Sequence, residues 1–292
     1  MLFKNTSGGL EKAPVPEGES KDFGKDVDIH AYFIRHGEKK YVPDDPDTPL
    51  TDIGRRQARV FGGTLDSREA IKGYSSRTVR TEDTVENIIE ASRTEHKLKA
   101  RVRDELSFEW DKKGSFFPEL VKLRNEGRPA NYKQLPENER KKIDHDIDAK
   151  ITDWYLNFGE KRPDKGTESP VELAAKVAHR IATYQKMARR LSSGSSVDLI
   201  NGTHDFPIAA FLQRVIVRSA DDKKVVGFHS VNEIGGPIEY TENFELVIHN
   251  DKEGNQKMQL KFRGQSYEID MEHYNELLNA YEKSCKTKQD SA

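Results

Sequence analysis

The sequence has a single cysteine, Cys285, so no disulfide can form within the chain. That fits a reducing compartment, and the expected location is cytoplasmic. No apolar run reaches about 20 residues, so no membrane span is expected. The first twenty residues, MLFKNTSGGLEKAPVPEGES, lack a basic start followed by an apolar stretch, so no secretory signal is expected. An excess of one charge is missing too. Lys and Arg number 48 against 50 Asp and Glu, a formal net charge of −2, which gives no case for a nucleic-acid partner. No paired-cysteine motif and no His-Glu-x-x-His segment occurs, so neither a metal nor another cofactor is expected. Hydrophobic residues are scarce at 34%, and charged residues equal them against a typical ~25%. Part of the chain should therefore lie outside an ordinary core.

Residues 1–27 mix Gly8, Gly9, Pro14, Pro16, Gly18 and Gly24 with charges and read as a flexible tail. A domain is expected over 28–284, with a second short tail over 285–292. Residues 28–34 (DIHAYFI) read as a strand buried on both faces. A helix should follow over 51–70, N-capped by Thr51, then a strand at 71–75 and a helix over about 78–94. Residues 97–103 alternate as a strand does. The stretch 111–168 is densely charged and reads as a helical insertion. Ser169-Pro170-Val171-Glu172 is a capping box with proline at the first helical position, opening a helix to about Leu191. A strand at 197–201 and a helix at 206–216 come next. Residues 244–250 and 256–262 flank a turn as a hairpin, and a last helix covers about 270–283. The expected fold is α/β, a three-layer sandwich. Its central sheet should be mostly parallel and flanked by helices, with the helical insertion and a C-terminal β-hairpin added.

Three strand-to-helix junctions carry the chemistry. The first strand runs into Arg35-His36-Gly37-Glu38, the second into Ser75-Ser76-Arg77-Thr78-Val79-Arg80, and a later one into Gly202-Thr203-His204-Asp205. In open α/β sheets ligands bind at the carboxyl ends of strands. Arginine there presents a fixed cation with a planar fork of donors, suited to phosphate oxygens. Taken singly, each residue has a plain structural reading: a strand-end histidine held by a carboxylate, or arginines on a solvated helix face. Three such junctions on one sheet edge make independent structural readings improbable. Lys39 and Lys40 could steer a phosphate but read rather as a solvated loop, and His229 as structural or bordering the pocket.

On these residues the chain resembles the histidine phosphatase superfamily, the phosphoglycerate mutase-like fold. The opening Arg-His-Gly is Arg35-His36-Gly37. The following pattern is Pro49-Leu50-Thr51, Gly54 and Gln57-Ala58. The Ser-Ser, Arg, Thr helix start is Ser75-Ser76, Arg80 and Thr84, and the second histidine is His204. The resemblance spans roughly 28–217. It implies a metal-independent phosphomonoesterase in which His36 attacks phosphorus and the resulting phosphohistidine is hydrolysed. Arg35, Arg80 and His204 would hold the phosphate oxygens, with Arg77 as a further contact. The general acid would be Glu109, whose Phe108-Glu109-Trp110 setting resembles phosphatase members and invites desolvation, or Asp205 directly after His204. Glu109 is the favoured of the two. The partner would be a phosphorylated small molecule or a phosphopeptide. Alternatives are phosphoglycerate mutase-type transfer, whose Asn-Glu-Arg-His-Tyr-Gly segment is absent here, and a non-catalytic phosphate-binding regulatory module. The sequence selects no oligomeric state. Within 111–168, Phe116, Phe117, Trp154 and Tyr155 offer either an apolar wall for a leaving group or an ordinary hydrophobic face.

Overall fold

The computed structural model describes residues 22–40, 48–220 and 223–290. In chain order the elements begin with β1 (Val27–Arg35), α1 (Asp52–Thr64), β2 (Ala70–Ser75), α2 (Val79–Ala91) and β3 (His96–Val102). The stretch expected to be a helical insertion carries α3 (Phe116–Glu126) and α4 (Glu137–Leu156). Then come α5 (Pro170–Ala188), β4 (Ser196–Thr203), α6 (Asp205–Val215), β5 (Ile216–Ala220) and β6 (Lys223–Val226). The chain ends on β7 (Asn243–Asn250), β8 (Gln256–Phe262), β9 (Gln265–Ile269) and α7 (Met271–Asp290).

One sheet joins all nine strands in the order β3-β2-β4-β1-β7-β8-β9-β5-β6. Residues of β1 alternate between two layers, as the period of two in a strand requires. Val27, Ile29, Ala31 and Phe33 enter the larger core under α5, α6 and α7, whereas Tyr32 and Ile34 enter a smaller core with Ala58 of α1 and Val85, Ile88 and Ile89 of α2. The three layers expected from the sequence are therefore present. The sheet itself departs from expectation, because it is mixed. Only β3-β2, β2-β4 and β4-β1 run parallel, and the remaining pairings from β1 through β7 to β6 are antiparallel. The cause lies in the connections. Helices link β1, β2, β3 and β4, whereas tight turns link β7, β8 and β9, and tight turns allow only antiparallel neighbours.

Local signals were read correctly where a side chain closes a hydrogen bond. Thr51 caps α1 by accepting from the Gly54 amide at 3.0 Å, and Ser169 and Glu172 form the reciprocal capping box of α5. The helix over 51–70 is shorter than expected, because Gly62, Gly63 and Thr64 end it and the Leu65 amide turns back to Gly62 at 3.4 Å. Most of the expected N-terminal tail, residues 1–21, lies outside the described residues. The end of that tail is held: Phe23 bridges Ser192, the Gly24 amide donates to the Leu191 carbonyl at 2.9 Å, and Val27 already opens β1. The final helix continues to Asp290, into the expected 285–292 tail. No helix among the described residues is long and apolar enough to cross a membrane.

Away from the strand ends that carry the histidines, the sheet buries a charged group. Asp198 of β4 is fully buried, and neither carboxylate oxygen has a hydrogen-bond partner among the described residues. Arg68 Nε stands 3.5 Å away, and His30 is held by Glu245 at 2.6 Å. Burial pushes the Asp198 carboxyl up to about 6 against the pull of Arg68 and His30. A carboxyl raised on folding contributes stability below its unfolded value near 4, and that contribution is lost as pH rises through about 6. Asp198→Asn should therefore gain stability relative to the parent between pH 5 and 8, on the order of 2 kcal/mol. Melting temperatures at stepped pH read this, and a difference that does not vary with pH would remove the explanation.

Candidate active site

The carboxyl ends of β1, β2 and β4 meet at one edge of the sheet, and the sequence builds a tight backbone frame there. Gly37 and Gly54 approach so closely that a Cβ on Gly37 would lie 2.5 Å from the Gly54 carbonyl. A Cβ on Gly54 would lie 2.1 Å from that of Glu38. Only glycine fits either position. Around this contact the Glu38 amide donates to Gln57 at 2.9 Å, Thr51 Oγ1 donates to Glu38 Oε1 at 2.8 Å, and the Gly37 amide donates to Thr84 Oγ1 at 3.0 Å. Thr84 in turn donates to the Arg80 carbonyl at 2.7 Å. The spaced residues Thr51, Gly54, Gln57, Arg80 and Thr84 thus have one shared function, which is to pin the turn that follows β1.

His36 is buried on this turn, with Nδ1 2.8 Å from the Gly37 carbonyl. A carbonyl only accepts, so Nδ1 carries the proton and Nε2 keeps its lone pair. The buried His204 ring packs edge-on at 5.4 Å between centroids. Its Nδ1 lies 3.5 Å from Arg80 Nη2 and its Nε2 lies 3.1 Å from Ser76 Oγ. Arginine only donates, so here Nδ1 is the acceptor and Nε2–H donates to Ser76. Burial, then His204, Arg80 and Arg35, hold His36 neutral well below the ordinary histidine range. Burial, then Arg80, Lys39 and Arg35, do the same to His204. An NMR titration of the free protein should accordingly find these two rings unprotonated at pH 6, where exposed histidines are largely charged. Ordinary titration of either ring near 6.5 would contradict the burial argument.

Arg35 lies across the mouth of the pair. Its guanidinium donates to the Ile238 carbonyl, stands 3.5 Å from Asp205 Oδ2, and stacks 4.4 Å over the Tyr240 ring. Its Nε is buried with no hydrogen-bond partner among the described residues, a directed donor that a ligand oxygen would satisfy. Arg80 sits in the first turn of α2, and His204 is the N-cap residue of α6. Both side chains therefore issue from helix amino termini, which favour an anion.

Lys39 departs from the solvated-loop reading. It is half-buried, within electrostatic reach of Arg80, Asp205, Arg35 and Arg124. Burial first, then Arg80, lower its amine to about 8, with Asp205 opposing. Tyr240 was not singled out in the sequence at all. Its ring lies 5.8 Å from that of His36. No local motif marks it, because it arrives from the segment before β7, about 200 residues after the histidine.

Two other expected residues, Arg77 and Glu109, are exposed. Arg77 is 61% exposed and holds Asp104 in a two-point pair at 2.8 and 2.7 Å, so its fork is occupied outside the cluster. Glu109 is half exposed and 3.8 Å from Arg77. The two rings expected to cover it pack on other partners. Phe108 packs into Phe116, Tyr155 and Phe206, and Trp110 packs on Phe117. Asp205 instead adjoins Arg35, and its Oδ1 accepts from the Phe206 amide at 3.0 Å. Glu168 and Thr203 hold the loop after β3 in place, accepting from the Glu109 amide at 2.9 Å and donating to the Leu106 carbonyl at 2.7 Å. His229 is exposed and away from the cluster. Among the described residues no three His, Cys, Asp or Glu side chains are grouped as metal ligands.

The fold and site together define an α/β protein with a histidine-and-arginine anion cradle at a sheet edge. Residues 31–116, which include Arg35, His36, Arg80 and Glu109, match the family model described as "Histidine phosphatase superfamily (branch 1)". His204 and Asp205 lie beyond the matched segment. A search of curated proteins gave no match. Solved structures similar to this chain include a phosphoglycerate mutase from Bacillus anthracis, at 14% identity and TM-score 0.45, covering 87% of this chain and 98% of that one. A mycobacterial glucosyl-3-phosphoglycerate phosphatase has 18% identity, TM-score 0.47, and coverage of 80% and 98%. A protein described as mycobacterial hydrolase 1 has 20% identity, TM-score 0.45, and coverage of 81% and 99%. At these values none of them bears on the chemistry of this chain. The family match supports a phosphatase or phosphoryl-transfer enzyme.

Proposed function

We propose that this protein is a phosphomonoesterase that works through a phosphohistidine on His36. The observation that carries the reading is a neutral, buried imidazole with its Nε2 lone pair left over, set beside two arginines and a second neutral histidine. A phosphate dianion would bring its oxygens to Arg35, Arg80 and His204. Its charge would draw a proton onto His204 Nδ1, which changes from acceptor to donor. Lys39 adds a fourth positive group to the cradle. Phosphoryl transfer asks mainly for positioning and charge stabilisation, which a rigid cationic frame supplies. His36 Nε2 attacks phosphorus, the ester oxygen leaves with a proton, and water then cleaves the P–N bond.

The proton for the leaving oxygen is assigned to Asp205. Asp205 directly follows His204 and stands 3.5 Å from Arg35, whereas Glu109 is half exposed and 3.8 Å from Arg77. The mutase alternative and the non-catalytic alternative make different forecasts from the same trial. Incubation with radiolabelled phosphomonoesters followed by an alkaline denaturing quench, under which phosphohistidine survives, should trap labelled protein. No label from any reactive ester would leave only the binding module. Label passed to a second alcohol in preference to water would favour the mutase.

A further inference from the structure

The insertion brings a charged pair, not an aromatic wall, to the pocket. Phe116 is 2% exposed, stacked on Trp154 at 5.5 Å and packed against Tyr155 and Phe206, so these rings serve the core. What α3 and α4 present instead is Arg124 bonded to Asp148 at 2.5 Å. Arg124 is within electrostatic reach of Lys39 and Tyr240, and Asp148 of Arg35 and Tyr240. The segment before β7 completes the wall. It is tied to α4 by Asp153, which accepts from Ser230 at 2.7 Å and Val231 at 2.8 Å, and by Glu239 beside His145 at 3.5 Å.

About a third of each partner in the Arg124–Asp148 pair is exposed, and such a pair adds little to stability. Its placement beside Arg35 and Tyr240 gives it another use. A guanidinium next to a carboxylate offers donors and acceptors side by side, which matches a hydroxyl, since a hydroxyl donates and accepts at once. A second phosphate or carboxylate on the substrate would meet Asp148 and Glu239 as like charges. An aryl group would cover the pair and leave its polar atoms without partners, at a cost.

Resting on the phosphomonoesterase reading, we infer that the leaving group is a polyhydroxylated, sugar-like alcohol whose hydroxyls are held by the Arg124–Asp148 pair beside Tyr240. The test compares kcat/KM for a panel of hexose, pentose and glycerol phosphates with that for phenyl phosphate, in wild type, Arg124→Ala and Asp148→Ala. The best polyol phosphate should exceed phenyl phosphate by tenfold or more in wild type, and that ratio should fall at least tenfold in each variant. A wild type that prefers phenyl phosphate overturns the inference, as does a ratio that the variants leave unchanged. If a variant fails to fold, calorimetry on His36→Ala supplies the second readout. The best polyol phosphate should bind at least tenfold tighter than methyl phosphate, and equal affinities overturn the inference. Failure of the underlying reading is separate and visible, because no ester, phenyl phosphate included, would then label the protein.

Discussion

His36→Ala should lose both the trapped phosphoenzyme and turnover, the latter by about 10⁴-fold or more, the scale on which loss of a covalent nucleophile acts. The reason is geometric. Nδ1 is committed to the Gly37 carbonyl, so only Nε2 can attack, and no other imidazole in the cluster is oriented to replace it. His204 has Nε2 bonded to Ser76 and Nδ1 facing Arg80. The alanine variant should still bind inorganic phosphate, because Arg35, Arg80 and His204 remain. Full turnover in the variant would remove His36 as the nucleophile. Loss of phosphate binding together with turnover would mean that the frame had collapsed and that the loss of rate had said nothing about attack.

Asp205→Asn should show the second large effect, and it should depend on the leaving group. General acid catalysis contributes about 10²–10⁴-fold where the departing oxygen is strongly basic. Alkyl phosphates should therefore slow by about that factor, whereas p-nitrophenyl phosphate, whose leaving group departs without a proton, should slow less than about tenfold. Asparagine keeps the shape and the Phe206 amide contact, so packing is not the variable. The same comparison on Glu109→Gln decides between the two carboxylates. If the leaving-group signature appears there and not in Asp205→Asn, the acid is Glu109, and its contact with Arg77 must rearrange when substrate binds.

Much of this was legible in the sequence because it is local. The capping box at Ser169, the Thr51 cap and the strand-to-helix junctions are short-range signals with a bonding partner within a few residues. The placement of Arg35, His36, Arg80 and His204 followed from one rule about strand ends. The sheet's antiparallel half was only partly legible. The 244–262 hairpin was readable from its turn. The strands β5, β6 and β9 were missed because Ile216–Ala220 continues straight from a helix without a turn signal, and Gln265–Ile269 is short and polar. Tyr240 was missed as a pocket residue, and Lys39 was ranked as solvated loop above phosphate steering, for different reasons. The proximity of Tyr240 to His36 is a tertiary fact, set by how the segment before β7 packs, whereas Lys39 lies three residues from His36 and only its burial is a tertiary fact. The aromatic residues of 111–168 carried no local mark to separate pocket wall from core; packing places Phe116 and Tyr155 in the core with Trp154 against it, and Phe117 on Trp110.

The reversal of strand direction at β1 has a consequence for how such a pocket can diversify. On the β4 side the neighbour runs parallel, so its end delivers His204. On the β7 side the neighbour runs the other way, with Ile34 opposite Asn243, so its beginning lies beside the nucleophile. Whatever precedes β7 is therefore carried over the reaction centre by sheet geometry alone, and Tyr240 arrives that way. The two insertion helices can change in sequence while Arg80 and His204 keep their places, but residues 238–242 are tied to Arg35 through the Ile238 carbonyl, the Tyr240 ring and the Glu242 carbonyl. The cradle and the wall therefore meet at Arg35, and a new substrate is reached most freely by editing the insertion helices, while changes at 238–242 also move a phosphate ligand.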